Sequence, residues 1–288
     1  MPRAALKHLG MERLTLSSPN DAVGAVLLRP ANPPRTLVAC IHGGGCHSGY
    51  FESGSPSLAA SLLGAGHAVL LVERPGTRGR PLMDEERPLD ASWAVIGSMI
   101  GKIAATHAPG LPVMLVGHSI GGALALTIAA DAPAWPLGAV LVSGIGDEPP
   151  PLVRTWPTGR DDALPTEAAG FFLGPEGTWD WRGLTRLRKV ASPWNVAERL
   201  EVVHHWPALW RQLAARITVP VQLRLADGEG IWVTGEAVVA RMAAALAGSP
   251  LVDAAILPEG GHLYEFHKRG PELAAQQVAF VDRVLTAA

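Results

Sequence analysis

With 288 residues, 24 Lys+Arg against 26 Asp+Glu and a formal charge of −2, the chain lacks the basic surplus that a nucleic-acid or polybasic membrane partner requires. Hydrophobic residues make up 48% and charged residues 17%, and mean hydropathy is +0.19. This composition excludes disorder, collagen and coiled coil and supplies a large buried core. Two cysteines, Cys40 and Cys46, exclude a disulfide framework.

From the start, MPRAALKHLGMERLTLS holds no continuous apolar run and no small-residue cleavage site, so no secretory signal is read and the expected compartment is the cytoplasm. Glu12 to Ser17 and Ala22 to Pro30 read as short strands. Thr36 to Ile41 (TLVACI) is a β-rich apolar run ending in glycines, and Ala68 to Val72 (AVLLV) is a second, with helix expected from Pro56 to Gly66 between them. Both runs look buried on two faces. Leu89 to His107 has helical periodicity; a strand follows at Val113 to Val116, a helix at Ile120 to Ala130 and a strand at Leu137 to Ser143. Leu111 to Gly146 holds one formal charge, Asp131, but Pro112, Gly117, Gly121, Gly122, Pro133 and Pro136 cut it into core-sized pieces, not a membrane span. Strand and helix in alternation imply a parallel sheet covered on both sides, with functional groups at the carboxyl ends of its strands.

The alternation breaks at Asp147 to Arg211, which opens with EPPP and carries Trp156, Trp179, Trp181, Trp194, Trp206 and Trp210. This segment reads as an inserted cap on a core formed by residues 1–146 and 212–288. Plain packing is the alternative use of its aromatics. The sheet resumes at Val219 to Ala226, where VQLRL alternates apolar and polar residues as suits a strand near one end of the sheet. Helix Glu236 to Leu246, strand Leu251 to Leu257 and helix Pro271 to Leu285 complete the chain.

GHSIG, Gly117 to Gly121, lies between the strand VMLV and a helix. A serine in such a strained strand-to-helix turn is pushed out of the sheet, and its neighbours must be small. A free serine hydroxyl is a poor nucleophile, so Ser119 needs a base held by an acid. His262, after Pro258-Glu259-Gly260-Gly261 and just beyond the last strand, is the candidate base; His267 is its rival by position.

On GHSIGG, HGGG at His42 to Gly45, ERPGTRG at Glu73 to Gly79 and GGH at Gly260 to His262, the chain resembles α/β-hydrolase fold serine hydrolases over nearly its whole length. The resemblance implies a mostly parallel eight-stranded sheet, a cap after the sixth strand, the order serine, acid, histidine, and no cofactor. It places the acid in the loop after the seventh strand, Ala226-Asp227-Gly228-Glu229-Gly230, where register favours Glu229 and Asp227 is the alternative; Asp147, after the sixth strand, is an outsider. The carboxylate left over is expected to be a solvated loop residue. HGGGCHSGYF looks like the oxyanion loop, with donors at the amides of Gly44 and Ile120 and Gly45 as the neighbouring choice. His42 is expected to anchor this loop, and both cysteines to be inert thiols.

No metal-ligand spacing accompanies His204-His205. The leading expectation is a cofactor-independent hydrolase of a carboxylic ester, lactone or thioester, taking an apolar or aromatic small-molecule substrate against Trp156, Trp179, Trp181, Trp194 and Trp206. The same fold also hosts C–C hydrolases, cyclases or lyases and cofactor-free oxygenases, and a non-catalytic binding protein is a third class.

Overall fold

The computed structural model describes residues 12–18, 20–154 and 169–287. The strands are β1 (Glu12–Ser17), β2 (Gly24–Arg29), β3 (Leu37–Ile41), β4 (Ala68–Glu73), β5 (Val113–His118), β6 (Leu137–Ser143), β7 (Val221–Ala226) and β8 (Val252–Leu257). They form one open sheet in the order β1-β2-β4-β3-β5-β6-β7-β8. β2 runs antiparallel to both β1 and β4, and every pairing from β4 through β8 is parallel. The expected mostly parallel eight-stranded sheet is therefore present, with element limits within about two residues of the expected ones along the core.

The apolar runs are buried because helices cover them. β3, β4, β5 and β7 are buried at every position, and each such Leu, Ile or Val contributes about 1.5–3 kcal/mol by leaving water. The core helices are α1 (Leu58–Gly64), α2 (Pro88–His107) and α3 (Ile120–Ala130), and between β6 and β7 come α4 (Pro151–Arg154), α5 (Ala169–Leu173), α6 (Trp181–Val190), α7 (Val196–His204) and α8 (Trp206–Leu213). α9 (Glu236–Ala245) and α10 (Gly270–Ala287) follow. α1 packs against α10, and α2 against α3. The alternation in VQLRL has its explanation here. β7 is second from the β8 edge, and its polar Arg224 is satisfied by Asp253 Oδ1 of β8 at 2.9 Å and Gln276 of α10 at 2.8 Å.

Several contacts among the described residues tie the segment between β6 and β7 to the rest of the chain. Glu201 of α7 accepts the amides of Leu89 and Asp90 at 2.8 and 3.0 Å, supplying the acceptors that the first turn of α2 lacks. Glu198, one turn earlier, forms a buried two-point ion pair with Arg74 just after β4. Cys46 and Ala191 form an isolated antiparallel bridge, with His47 N–H on Val190 O at 3.1 Å and Ser192 N–H on Gly45 O at 2.9 Å. The limit expected at Arg211 falls inside α8, whose Trp206 and Trp210 are buried in the main core.

Candidate active site

β5 ends at His118 and α3 begins at Ile120, so Ser119 alone makes the turn, at φ +53° and ψ −122°. A non-glycine residue held there is strained by about 1–3 kcal/mol, a cost that the packing on both sides must sustain. The packing is close: a methyl group on Gly121 would overlap the carbonyl oxygen of Ile41 at the end of β3. Ser119 donates its own amide to Ser143 O at 2.9 Å, which fixes the turn to β6.

The Ser119 hydroxyl lies 2.9 Å from His262 Nε2, and His262 Nδ1 lies 2.9 and 3.0 Å from the two carboxylate oxygens of Glu229. A carboxylate only accepts, so Nδ1 carries the hydrogen and Nε2 is left to accept from the serine. Glu229 is buried and is held by the Ile231 amide at 2.9 Å. Asp227, the alternative acid, accepts the amides of Glu259 and Gly260 at 2.9 and 3.2 Å. It is exposed, as expected of a solvated loop residue, and through these two contacts it ties down the loop that presents His262. Asp147 pairs with Arg241 at 2.8 Å, away from the histidine.

The glycine loop after β3 faces this turn. A methyl group on Gly43 would come 3.1 Å from Ser119 Cβ, and one on Gly44 2.9 Å from Ile120 Cδ1. The amides of Gly44 and Ile120 find no acceptor among the described residues. Gly45, at φ +64°, lies under Trp194, whose ring fills the space a side chain would need. Gly43 O accepts from His42 Nδ1–H at 2.9 Å and from Arg74 at 3.2 Å. Behind them, Glu73 accepts from the hydroxyls of Ser48 and Thr77, each at 2.7 Å. Burial alone would raise the Glu73 carboxyl, but His42, 3.5 Å away, together with these hydroxyls outweighs it and holds the group down to about 2. Burial lowers the His42 imidazole in turn.

A family model described as "Alpha/beta hydrolase family" matches residues 38–276. The chain belongs to the alpha/beta hydrolase family. Human monoglyceride lipase is 31% identical to it over 150 residues, 51% of this chain and 47% of that protein. The mouse monoglyceride lipase is 30% identical over 118 residues, 40% of this chain and 37% of its own length. The aligned part thus spans about half of these relatives or less. Among solved structures, a carboxyl esterase from Bacillus coagulans superposes with a TM-score of 0.71 at 17% identity, covering 96% of this chain and 99% of that one. An esterase from Thermogutta terrifontis gives 0.68 at 16%, covering 95% and 99%.

The aromatics expected to line substrate in this alpha/beta hydrolase divide sharply. Trp194 sits on the glycine loop and meets Phe172 edge-to-face at 5.4 Å, and Phe172 meets the His262 ring at 5.7 Å. Phe172 thus lies at the site, although no motif in the sequence marks it. Trp206 corrects the expectation: it is 3% exposed and donates its indole N–H to Gly146 O at 2.8 Å, which makes it a core residue. So does Trp181, which is 67% exposed with the Arg182 guanidinium over its ring. Trp179 packs against the core with its indole nitrogen buried and unpartnered. Trp156 lies outside the described residues. Both cysteines are free and buried; burial pushes the Cys46 thiol up to about 12 and the Cys40 thiol further, so neither supplies a thiolate. Among the described residues no cluster of His, Cys, Asp and Glu suits a metal ion, and no helix is long and apolar enough to cross a membrane.

His267, the rival base, is structural. Its Nε2 accepts the Gly261 amide at 3.4 Å and its Nδ1–H faces Thr178 Oγ1 at 3.0 Å. Burial lowers it to about 4. A neutral buried imidazole contributes stability that is complete above the unfolded value of 6.5 and is lost as pH falls toward the folded one, on the order of 3 kcal/mol in all. Unfolding free energy in denaturant is therefore expected to decline steeply between pH 6.5 and 4, and His267→Gln to flatten that slope. An equal slope in the variant contradicts the assignment.

Proposed function

We propose that this chain is a carboxylic ester hydrolase that works through an acyl-enzyme on Ser119. The observation carrying the reading is the continuous line from the Ser119 hydroxyl through His262 to Glu229, every link at 2.9–3.0 Å. In this reading His262 Nε2 takes the serine proton as the oxygen attacks the ester carbonyl, and Glu229 holds the imidazole in the required tautomer and stabilises the imidazolium. The amides of Gly44 and Ile120 receive the oxyanion, with Gly45 as the neighbouring donor, and such a donor is worth roughly 10²- to 10³-fold in rate. His262 then protonates the leaving alcohol, and a water activated by the same nitrogen releases the acid.

The substrate is an uncharged ester of a small alcohol with an apolar acyl group lying against Phe172 and Trp194. The similarity to monoglyceride lipases supports a glycerol monoester as one such substrate. Residues 147–211 act as the cap, and the core is 1–146 with 212–288. No cofactor enters the sequence of steps, and the free thiols of Cys40 and Cys46 suit a reducing compartment such as the cytoplasm. The test is hydrolysis of p-nitrophenyl butyrate and of a glycerol monobutyrate by the purified chain. Turnover that falls at least about 10³-fold in Ser119→Ala is expected. Turnover that survives in Ser119→Ala but disappears in His262→Ala excludes the acyl-enzyme and favours a proton-transfer chemistry on the same histidine.

A further inference from the structure

A second buried polar chain lies behind His262, and the catalytic steps above do not use it. Tyr50 donates its hydroxyl to Glu265 Oε2 at 2.6 Å, and Ser143 donates to Glu265 Oε1 at 3.1 Å. The Ser143 oxygen is 3.2 Å from His118 Nδ1, and Glu265 Oε1 itself is 3.6 Å from that nitrogen. Because the Ser143 proton is committed to the carboxylate, the serine oxygen faces His118 as an acceptor, and Nδ1 must bear the hydrogen. His118 Nε2 is buried without a partner. The ring of His118 stacks on Tyr50 at 4.9 Å and 17°, and its other neighbour is the His262 ring at 5.0 Å and 56°. A methyl group on Gly144 would come 2.8 Å from His118 and 3.2 Å from His262, so the two rings converge on one backbone carbon.

We propose that Glu265, acting through Ser143, holds His118 as its Nδ1–H tautomer and that His118 so held is a positioning residue that sets the plane of the His262 ring against Ser119. The inference rests on the ester-hydrolase reading above. His262 is gripped at its two nitrogens by Glu229 and Ser119, but those bonds leave it free to rock about the line joining them; Phe172 and His118 are the flat groups that limit the rocking. His118 must also stay uncharged, since a cation 5.0 Å from His262 would oppose the imidazolium that forms there. Burial, with the neighbouring His262, lowers His118 well below its ordinary value, and burial raises Glu265. The titratable groups around this chain include His42, Cys46 and Tyr50 from the loop after β3, His118 from β5, Glu229 from the loop after β7, and His262 and His267 from the loop that carries Glu265. The two neutral donors on Glu265 satisfy the carboxylate, so His118 is not recruited as its counter-ion.

The test joins two readouts on full-length protein. ¹⁵N-histidine NMR near pH 7.5 reports the tautomer of His118, and the rate of a fluorophosphonate with Ser119 reports the attack. The wild type is expected to show the Nδ1–H pattern. Glu265→Gln, which cannot accept from both hydroxyls, is expected to lose it, and Ser143→Ala, which removes the nearer acceptor and leaves only the Glu265 oxygen 3.6 Å away, to weaken it. Both are expected to slow phosphonylation and kcat by roughly 10- to 100-fold with KM within about twofold. Ser143→Thr restores the hydroxyl and both signals. An Nε2–H pattern in the wild type, or variants that react at the wild-type rate, overturns the proposal. A wild type inert to the phosphonate overturns the ester-hydrolase reading instead, and the two are told apart because the spectrum is read without any reaction.

Discussion

Glu229→Gln is expected to lower kcat by about 10⁴-fold while leaving the protein folded, and Asp227→Asn by no more than about tenfold. The two carboxylates are separated by one residue on one loop, yet they serve different atoms. Glu229 meets a ring nitrogen, and a glutamine can still accept the Ile231 amide while turning its NH₂ toward His262. Nδ1 must then accept, Nε2 must carry the hydrogen, and the serine loses its base. Asp227 meets only the amides of Glu259 and Gly260. Asparagine removes one of those two acceptors, which costs about 1 kcal/mol of stability and loosens the His262 loop without changing its tautomer. Steady-state kinetics on p-nitrophenyl butyrate, with thermal unfolding of each variant, separates the cases. A larger loss of kcat in Asp227→Asn than in Glu229→Gln would reverse the assignment of the acid.

Glu198→Ala is expected to have the largest effect on stability. Arg74 is fully buried, its guanidinium shared between Glu198 of α7 and Gly43 O of the glycine loop. Removing one partner of such a pair strands a charge in the interior and costs about 3–5 kcal/mol, or roughly 6–20 °C in Tm for a chain of this size. The converse replacement tests the cause. Arg74→Met with Glu198→Leu removes both charges, and stability is expected to return to near wild type. Activity is not expected to return with it, because Gly43 O has lost a donor and the loop with the Gly44 amide is less tightly held. Calorimetry of the single and double variants measures the first, and ester hydrolysis the second. A Glu198→Ala protein that melts with the wild type contradicts the buried pairing.

Much of the scaffold was legible because it is written locally. The apolar runs TLVACI, AVLLV and LGAVLVS are strands because they are aliphatic and bounded by turn residues, and α3 and β6 begin and end where the pattern says. GHSIG carries its own geometry, since only small neighbours permit the Ser119 turn. What stayed hidden depends on partners far apart in the chain. Spacing alone offered both Asp227 and Glu229, and only the direction of each hydrogen bond separates them. The Arg74–Glu198 pair joins residues 124 positions apart. Trp206 and Trp181 looked alike as large aromatics in one segment, yet one fills the core and the other lies outside. Phe172 has no motif around it to mark it. Glu265 does carry a signal, a carboxylate inside the apolar and aromatic run LYEF directly after His262.

The most direct test of the account is the intact mass of the purified chain after reaction with a fluorophosphonate, followed by peptide mapping of the adduct. The expected result is a single phosphonyl group per chain on Ser119, absent from Ser119→Ala and strongly slowed in His262→Ala. A wild-type chain that gains no mass, or an adduct that persists in Ser119→Ala, would contradict it.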